Sequence, residues 1–301
     1  MLPAQVAVPE SHEDHFMQQN AAIEQVLARP LFIVGAERSG TTWLQRMLIS
    51  HPLVCGGHES MFFMTFGRFI KNEVNTRGGG IGAYWSEEEM VEVVSGLWRR
   101  TFEPIVKSKP AARLLVEKTP GHATCMFEIA KLLPSAKFVH IIRDSRAAVA
   151  SMVAASKADW GRSWAANNVR DAALRWAWHV RSANEFTDAH GSNCCLMVHY
   201  EQLRASPNLE LRRILEFGGI DGTNEDVESC IAANELVSGT PRSHVRLPTP
   251  QNTYQGEPEG FYRLGSVDGW KQELNLLQRA IVWRFTRKSM RRNGYRIGLF
   301  R

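Results

Sequence analysis

The sequence predicts an α/β fold, a parallel β-sheet covered by helices in a single domain. Three observations predict it. Four short, mainly apolar runs (Leu31–Val34, Leu114–Glu117, Lys137–Ile142 and Cys194–Val198) are separated by longer segments of helical period, and strands that alternate with helices build parallel sheets. The runs lack polar alternation, as expected of strands buried on both faces. Each run, and a short one opening at Val54, is followed by charged or hydroxyl residues. Open parallel sheets bind their ligands at that edge.

In chain order, residues 1–30 read as a loose polar lead-in with a short helix near Ala21–Ala28, closed by Pro30. Leu31–Val34 is a strand, followed by a glycine loop and a helix to about Ser50. His51-Pro52 breaks that helix. Val54 opens a short strand or turn that ends near Glu59. Residues 60–112 carry helical patterns around Gly78-Gly79-Gly80, and Pro110 closes them. Leu114–Glu117 is a strand with Lys118-Thr119-Pro120 at its exit. A helix over Ala123–Leu133 follows from Met126, Ile129, Ala130 and Leu133, and Pro134 stops it. Lys137–Ile142 is a strand with Arg143 and Asp144 at its end and Ser145 as a cap for the next helix. A long helix covers Asn167–Ala189, a strand covers Cys194–Val198, and Pro207 opens a helix into Phe217. Residues 239–262, rich in Pro, Gly, Thr and Gln, read as a long loop. Gln272–Asn293 is a basic amphipathic helix. The domain proper is thus 31–301, with 60–112 and 239–262 as the segments expected to build an acceptor pocket or lid.

With 301 residues, 44% of them hydrophobic, the chain can bury one large core. No run reaches the roughly 18 apolar residues of a membrane span. The first residues, MLPAQVAVPESHEDHF, have no basic n-region and no apolar h-region, so a cytoplasmic location is expected. Five cysteines at irregular spacing predict neither a disulfide framework nor a zinc site. The formal charge of +5 is carried mainly by arginine, which suits bidentate binding of phosphate or sulfate.

The chemistry concentrates in Leu31–Leu48, LFIVGAERSGTTWLQRML. Its turn, Gly35-x-x-x-x-Gly40-Thr41-Thr42, keeps the glycine spacing of a phosphate-binding loop but replaces the usual lysine with Thr41. Backbone N–H groups and a helix N-terminus can still hold an anion. Ser39, Gly40, Thr41, Thr42 and Trp43 form the cradle, and Arg38 adds a cation inside the turn. A second cation, Arg143, stands where a triphosphate site would place a metal-holding carboxylate. Ser151, about two helical turns on, is expected at the same anion. The sequence therefore predicts two anion subsites and no metal.

These blocks resemble the sulfotransferases that use 3′-phosphoadenosine 5′-phosphosulfate (PAPS). RSGTTW is similar to the family's 5′-phosphosulfate loop, and VHIIRDSRAAVASM to its 3′-phosphate strand and helix, with Arg143 and Ser151 at the matching positions. VHYEQLRASP resembles the block whose tyrosine packs near the adenine, here Tyr200. RLGSVDGWK is similar to the loop that closes over the 3′-phosphate, which implies roles for Arg263, Gly265 and Ser266. In that last block Asp268-Gly269 reverses the usual Gly-Asp order, and Leu264 replaces a common lysine. The resemblance is greatest to the tyrosylprotein sulfotransferase branch and its bacterial relatives. It implies the P-loop-like sulfotransferase fold, PAPS as donor, 3′,5′-adenosine bisphosphate (PAP) as product, Glu59 as general base and Lys118 as a catalytic cation.

The cytosolic branch of that family places a basic histidine after a similar lysine-threonine pair, where this chain has Pro120. His58 and His122 are alternative bases, and His140, inside an apolar strand, is expected to be a satisfied core residue. Arg38 and Lys118 are expected to stabilise charge on the transferring group. The acceptor is a small-molecule, sugar or peptide hydroxyl. Two other readings use the same residues: a P-loop kinase with a degenerate loop, and an inactive nucleotide- or RNA-binding protein. Retention of Arg38, Glu59 and Lys118 together disfavours nucleic acid as the partner.

Overall fold

The computed structural model describes residues 12–67, 83–237, 240–241, 257–262 and 265–295. Arg263, Leu264, the Gly78–Gly80 loop and most of the 239–262 segment lie outside the described residues.

Five parallel strands form the central sheet: β1 Leu31–Gly35, β2 Val54–Gly56, β3 Leu114–Lys118, β4 Lys137–Ile142 and β5 Cys195–His199. Their spatial order is β2-β3-β1-β4-β5. β1 lies in the middle, pairing Ile33 with Lys118 of β3 and with Val139 of β4. Successive side chains point to opposite faces, and both faces are covered. On one face Phe32, Val34, Phe138 and Phe186 pack with Phe63 and Trp98. On the other, Leu31, Ile33, Val139, Ile141 and Val198 pack under Leu44, Met47, Leu48, Leu211 and Ile214. All of these are buried.

The strand and helix limits follow the sequence closely at Lys137–Ile142 and Pro207–Phe217, and the loop helix runs Thr41–Ser50. Elsewhere the structure corrects the reading. From His12 onward the lead-in is not loose: His12–Ala28 is one helix, and Ile23, Val26 and Leu27 enter the core through its i, i+3, i+4 face. The segment before Met126 is a 3₁₀ turn, Pro120–Thr124, because the proline fixes its entry. The C-terminal pattern splits into Trp270–Glu273 and Leu276–Arg292, the latter capped by Asn275 with Gln278 in a capping box. Asp144 rather than Ser145 caps the helix Ser145–Ala155, accepting from Arg146 N.

Candidate active site

Parallel strands bring all their carboxyl ends to one edge. In spatial order that edge carries Glu59 after β2, Lys118 at the end of β3, the Gly35–Thr42 loop after β1, Arg143 after β4 and Tyr200 after β5. The sheet order thus lines up five sequence-distant groups. A cavity of about 1420 Å³ opens along them and is lined by Arg38, Gly40, Thr41, Thr42, Trp43, Glu59, Lys118, Arg143, Ser151, Tyr200, Gly265 and Ser266.

The central loop depends on its glycines. Gly35 lies against the Ile141 carbonyl of β4, with no room for a Cβ. Gly40 has φ +95°, and a Cβ there would stand 2.5 Å from the Tyr200 ring. Arg38 itself adopts φ 67°, a left-handed conformation that is costly away from glycine and clusters at ligand sites. Ser39 is fully buried, and its Oγ has no hydrogen-bond partner. The helix Thr41–Ser50 begins at Gly40 without a side-chain cap, so its first N–H groups face the cavity end of the loop as anion donors.

Arg143 is 9% exposed. Its NH1 donates to the Arg38 carbonyl at 2.9 Å and its NH2 to the Ser266 carbonyl at 2.9 Å. Its guanidinium sits 4.4 Å from the centre of the Tyr200 ring, while Nε is buried without a partner. The Tyr200 hydroxyl donates to the Gly265 carbonyl at 3.1 Å. Arg38 Nε donates to Ser151 Oγ at 3.1 Å, and its NH2 reaches the Phe261 carbonyl at 2.6 Å. Arg38, Arg143, Ser151, Tyr200, Gly265 and Ser266 therefore converge. In this arrangement Arg38 is drawn to the Arg143–Ser151 end, whereas the sequence reading paired it with Lys118. Trp43 is buried, donates to the Asn234 carbonyl and meets Tyr200 edge-on. Asp144 does not pair with Arg143; it forms an ion pair with Arg146 at 2.6 Å.

At the other end, Lys118 Nζ donates to Thr42 Oγ1 at 3.1 Å and forms an ion pair with Glu59. Lys118 is 3% exposed, and the Glu59 side chain is 35% exposed. A buried ammonium thus touches both the anion loop and the candidate base.

Neighbouring residues explain this placement, and the sequence reading gave none of them a role except His122, which it named as an alternative base. Glu117 is 1% exposed. Its Oε1 accepts from Ser60 Oγ (2.8 Å) and Thr119 Oγ1 (2.7 Å), and its Oε2 meets His122 Nδ1 at 2.9 Å. Burial alone would raise its pKa; His122 and the hydrogen bonds from His122, Thr119 and Ser60 more than offset this and hold it below the usual carboxylate value. The Phe63 N–H donates to His122 Nε2 at 3.2 Å. Both His122 nitrogens are therefore committed, and the ring is fully buried, which removes it as a base. His140 is buried as expected, but its Nε2 is not satisfied. Burial, then His199 and His179, push its pKa down to about 4. His58 lines the cavity, and burial lowers its pKa.

Among the described residues, acidic and basic groups of the cavity lining are equal in number. Glu37, Glu59, Glu257 and Glu273 stand against Arg38, Lys118, Arg143 and Arg175. Among the described residues, no group of three or more His, Cys, Asp or Glu is placed to hold a metal ion, and no helix is long and apolar enough to cross a membrane.

The Sulfotransferase family model matches residues 30–225. Protein-tyrosine sulfotransferase 1 of Danio rerio is 30% identical over 190 residues, 62% of this chain and 52% of that protein. Protein-tyrosine sulfotransferase A of Caenorhabditis elegans is 28% identical over 236 residues, 74% of this chain and 58% of that protein. The chain thus spans about half the length of the curated relatives it matches. Among solved structures, the sulfotransferase domain from the Synechococcus PCC 7002 olefin synthase superposes with a TM-score of 0.58 at 19% identity, covering 90% of this chain and 96% of that one. The sulfotransferase domain from the curacin biosynthetic pathway gives 0.53 at 15% identity, covering 89% and 98%. Both share the fold. The cytoplasmic location expected from the N-terminal residues is corrected by these comparisons, because the curated relatives are protein-tyrosine sulfotransferases, which act in the secretory pathway. The chain belongs to the sulfotransferase family.

Proposed function

We propose that the chain transfers a sulfuryl group from PAPS to an acceptor hydroxyl. The observation that carries this reading is the linear arrangement of groups along the sheet edge. A carboxylate–lysine pair stands at one end, an anion loop in the middle, and a second arginine–serine anion subsite beside an aromatic ring at the other.

The residues fit such a donor. The loop offers N–H groups in a glycine-only approach, with the unpartnered Ser39 Oγ beside them. Arg143, with its unpartnered Nε, and Ser151 suit a phosphate on the ribose. Trp43 and Tyr200 suit the adenine side, and Gly265 and Ser266 close that end. Arg263 is proposed for the same end on the resemblance alone. When bound, the donor supplies an activated sulfur–oxygen bond.

Glu59 accepts the proton of the attacking hydroxyl. The new bond to sulfur forms as the bond from sulfur to the bridging phosphate oxygen breaks, and PAP leaves with the electron pair. Lys118 stabilises the charge that grows on the bridging oxygen, and Thr42 holds the ammonium in place. Arg38 supports the anions from the Ser151 side.

The test is transfer of labelled sulfate from PAPS to a panel of phenols, sugars and tyrosine peptides in the presence of a chelator. Labelled product from at least one acceptor is expected. No sulfate transfer in chelator, with phosphate transfer from ATP once magnesium is supplied, would select the kinase reading.

A further inference from the structure

Two sets of residues line the same cavity as the Glu59–Lys118 pair. One is apolar: Met61, Met64 and Gly121. Met64 lies over Gly121, where a Cβ would come within 2.5 Å of the sulfur. Thioethers fill irregular space around a carbon frame. The other set is polar: His58, Glu257 and Tyr262. Arg46, 3% exposed, backs this set from the loop helix. Its NH2 stands 3.6 Å from Glu257 Oε1, and its guanidinium stands 5.9 Å from the Tyr262 ring centre. At 3.6 Å that pair is an electrostatic contact outside hydrogen-bond range. The Glu257 carboxylate lies in the cavity wall with 15% of its side chain exposed, and a carboxylate has lone-pair sites for more than one donor.

The charge of the whole cavity points the same way. Among the described residues, its lining carries four glutamates against four cations before any ligand enters. A donor that carries a phosphosulfate and a ribose phosphate is a multiply charged anion. Once it is seated, the remaining space is net negative, even with Arg46 behind the wall. In a partly enclosed site of low effective dielectric, an anionic second substrate is repelled and a cationic one attracted.

We propose that the acceptor is a small hydroxyl compound bearing a protonated amine, with its carbon frame against Met61 and Met64 and its ammonium seated at Glu257. This deepens the sulfotransferase reading and rests on it. Sugars and acidic peptides fit the wall less well, the former for want of a polar fence on the methionine side.

The test uses PAPS with two matched acceptor sets, one phenolic and one aliphatic, each in ammonium, neutral and carboxylate form. The phenolic set is tyramine, 4-ethylphenol and 3-(4-hydroxyphenyl)propionate. In the wild type, kcat/KM should rank ammonium above neutral above carboxylate, with about tenfold between the first two, the size of a hydrogen bond to a charged group. Glu257→Gln should bring the ammonium-to-neutral ratio towards one, and Glu257→Asp should restore part of it. A flat wild-type series, a preference for the carboxylate form, or a ratio that Glu257→Gln leaves in place overturns the assignment. Transfer to none of the compounds, with PAP binding intact by calorimetry, also overturns it while leaving the donor site standing. Failure of the wild type to bind PAP overturns the donor reading, and the acceptor assignment with it.

Discussion

Ser60 Oγ donates to the buried carboxylate of Glu117 over 2.8 Å. That bond joins the two segments that carry the chemistry, since Ser60 follows Glu59 and Glu117 precedes Lys118. Met61, held at φ 52°, donates its N–H to Thr119 Oγ1 at 3.3 Å and completes the tie. Glu59, the proposed base, and the Lys118 ammonium are thus set by a network behind them.

Glu117→Gln should therefore lower turnover more than it weakens PAP binding, because the anion loop is held by other contacts. It should also change the pH dependence of stability. The folded-state pKa lies below the ordinary carboxylate value of 4.5, so near and below that pH the unfolded chain binds the proton first. The stabilisation is fully present above pH 4.5 and is lost as the pH falls through the folded value. Urea melts from pH 7 downwards should show the gap between wild type and Glu117→Gln closing in acid. A gap that widens there would contradict the ionised network.

Glu59→Gln and Lys118→Ala should each reduce kcat by about 10²-fold or more, the usual scale for a general base or a charge-stabilising partner. Steady-state kinetics with PAPS held saturating measures this. A Glu59→Gln enzyme of wild-type turnover would remove Glu59 as the base.

Gly40→Ala should abolish donor binding. The left-handed backbone alone costs about 1–2 kcal/mol with a Cβ, and the Tyr200 ring lies in its way. PAP titration of the purified variant, with a thermal melt to confirm folding, checks it. Affinity equal to wild type would mean that the loop does not close on the ligand.

His140 should make the fold acid-sensitive well above the carboxylate range. Its pKa falls from 6.5 in the unfolded chain to about 4 in the core, through burial first and then His199 and His179. Between those values the unfolded chain takes up the extra proton, so stability drops as pH falls from 6.5 towards 4, by an order of about 3 kcal/mol. His140→Gln should flatten that slope in melts followed by circular dichroism. An unchanged slope would assign it elsewhere.

Much of this site was legible because its residues adjoin strand ends. Apolar runs fix the strands, parallel strands share an exit edge, and Arg38, Glu59, Lys118, Arg143 and Tyr200 each follow such a run. The contacts that set the side chains were not legible. Lys109 donates to the carbonyls of Ile49, His51 and Val54 at 3.0, 2.7 and 2.8 Å and so fixes the end of the loop helix from far along the chain. Glu117 sits inside an apolar run, where only tertiary hydrogen bonds make its charge tolerable. Arg46 reads as one helical residue among many until Glu257 and Tyr262 are brought beside it. The lead-in helix was expected only near Ala21–Ala28 and runs from His12 for a similar reason: its sparse apolar stripe gains its energy from the helix Glu87–Lys107 against which it packs.

The most direct measurement is a calorimetric titration of the protein with PAP, first in chelator and then in excess magnesium. Saturable one-site binding of equal affinity in both, weakened at least tenfold by Arg143→Ala, is the predicted result, since the ribose phosphate is assigned to a guanidinium. Binding that needs magnesium, or a site that prefers ATP and ignores Arg143, would contradict the donor assignment at its root.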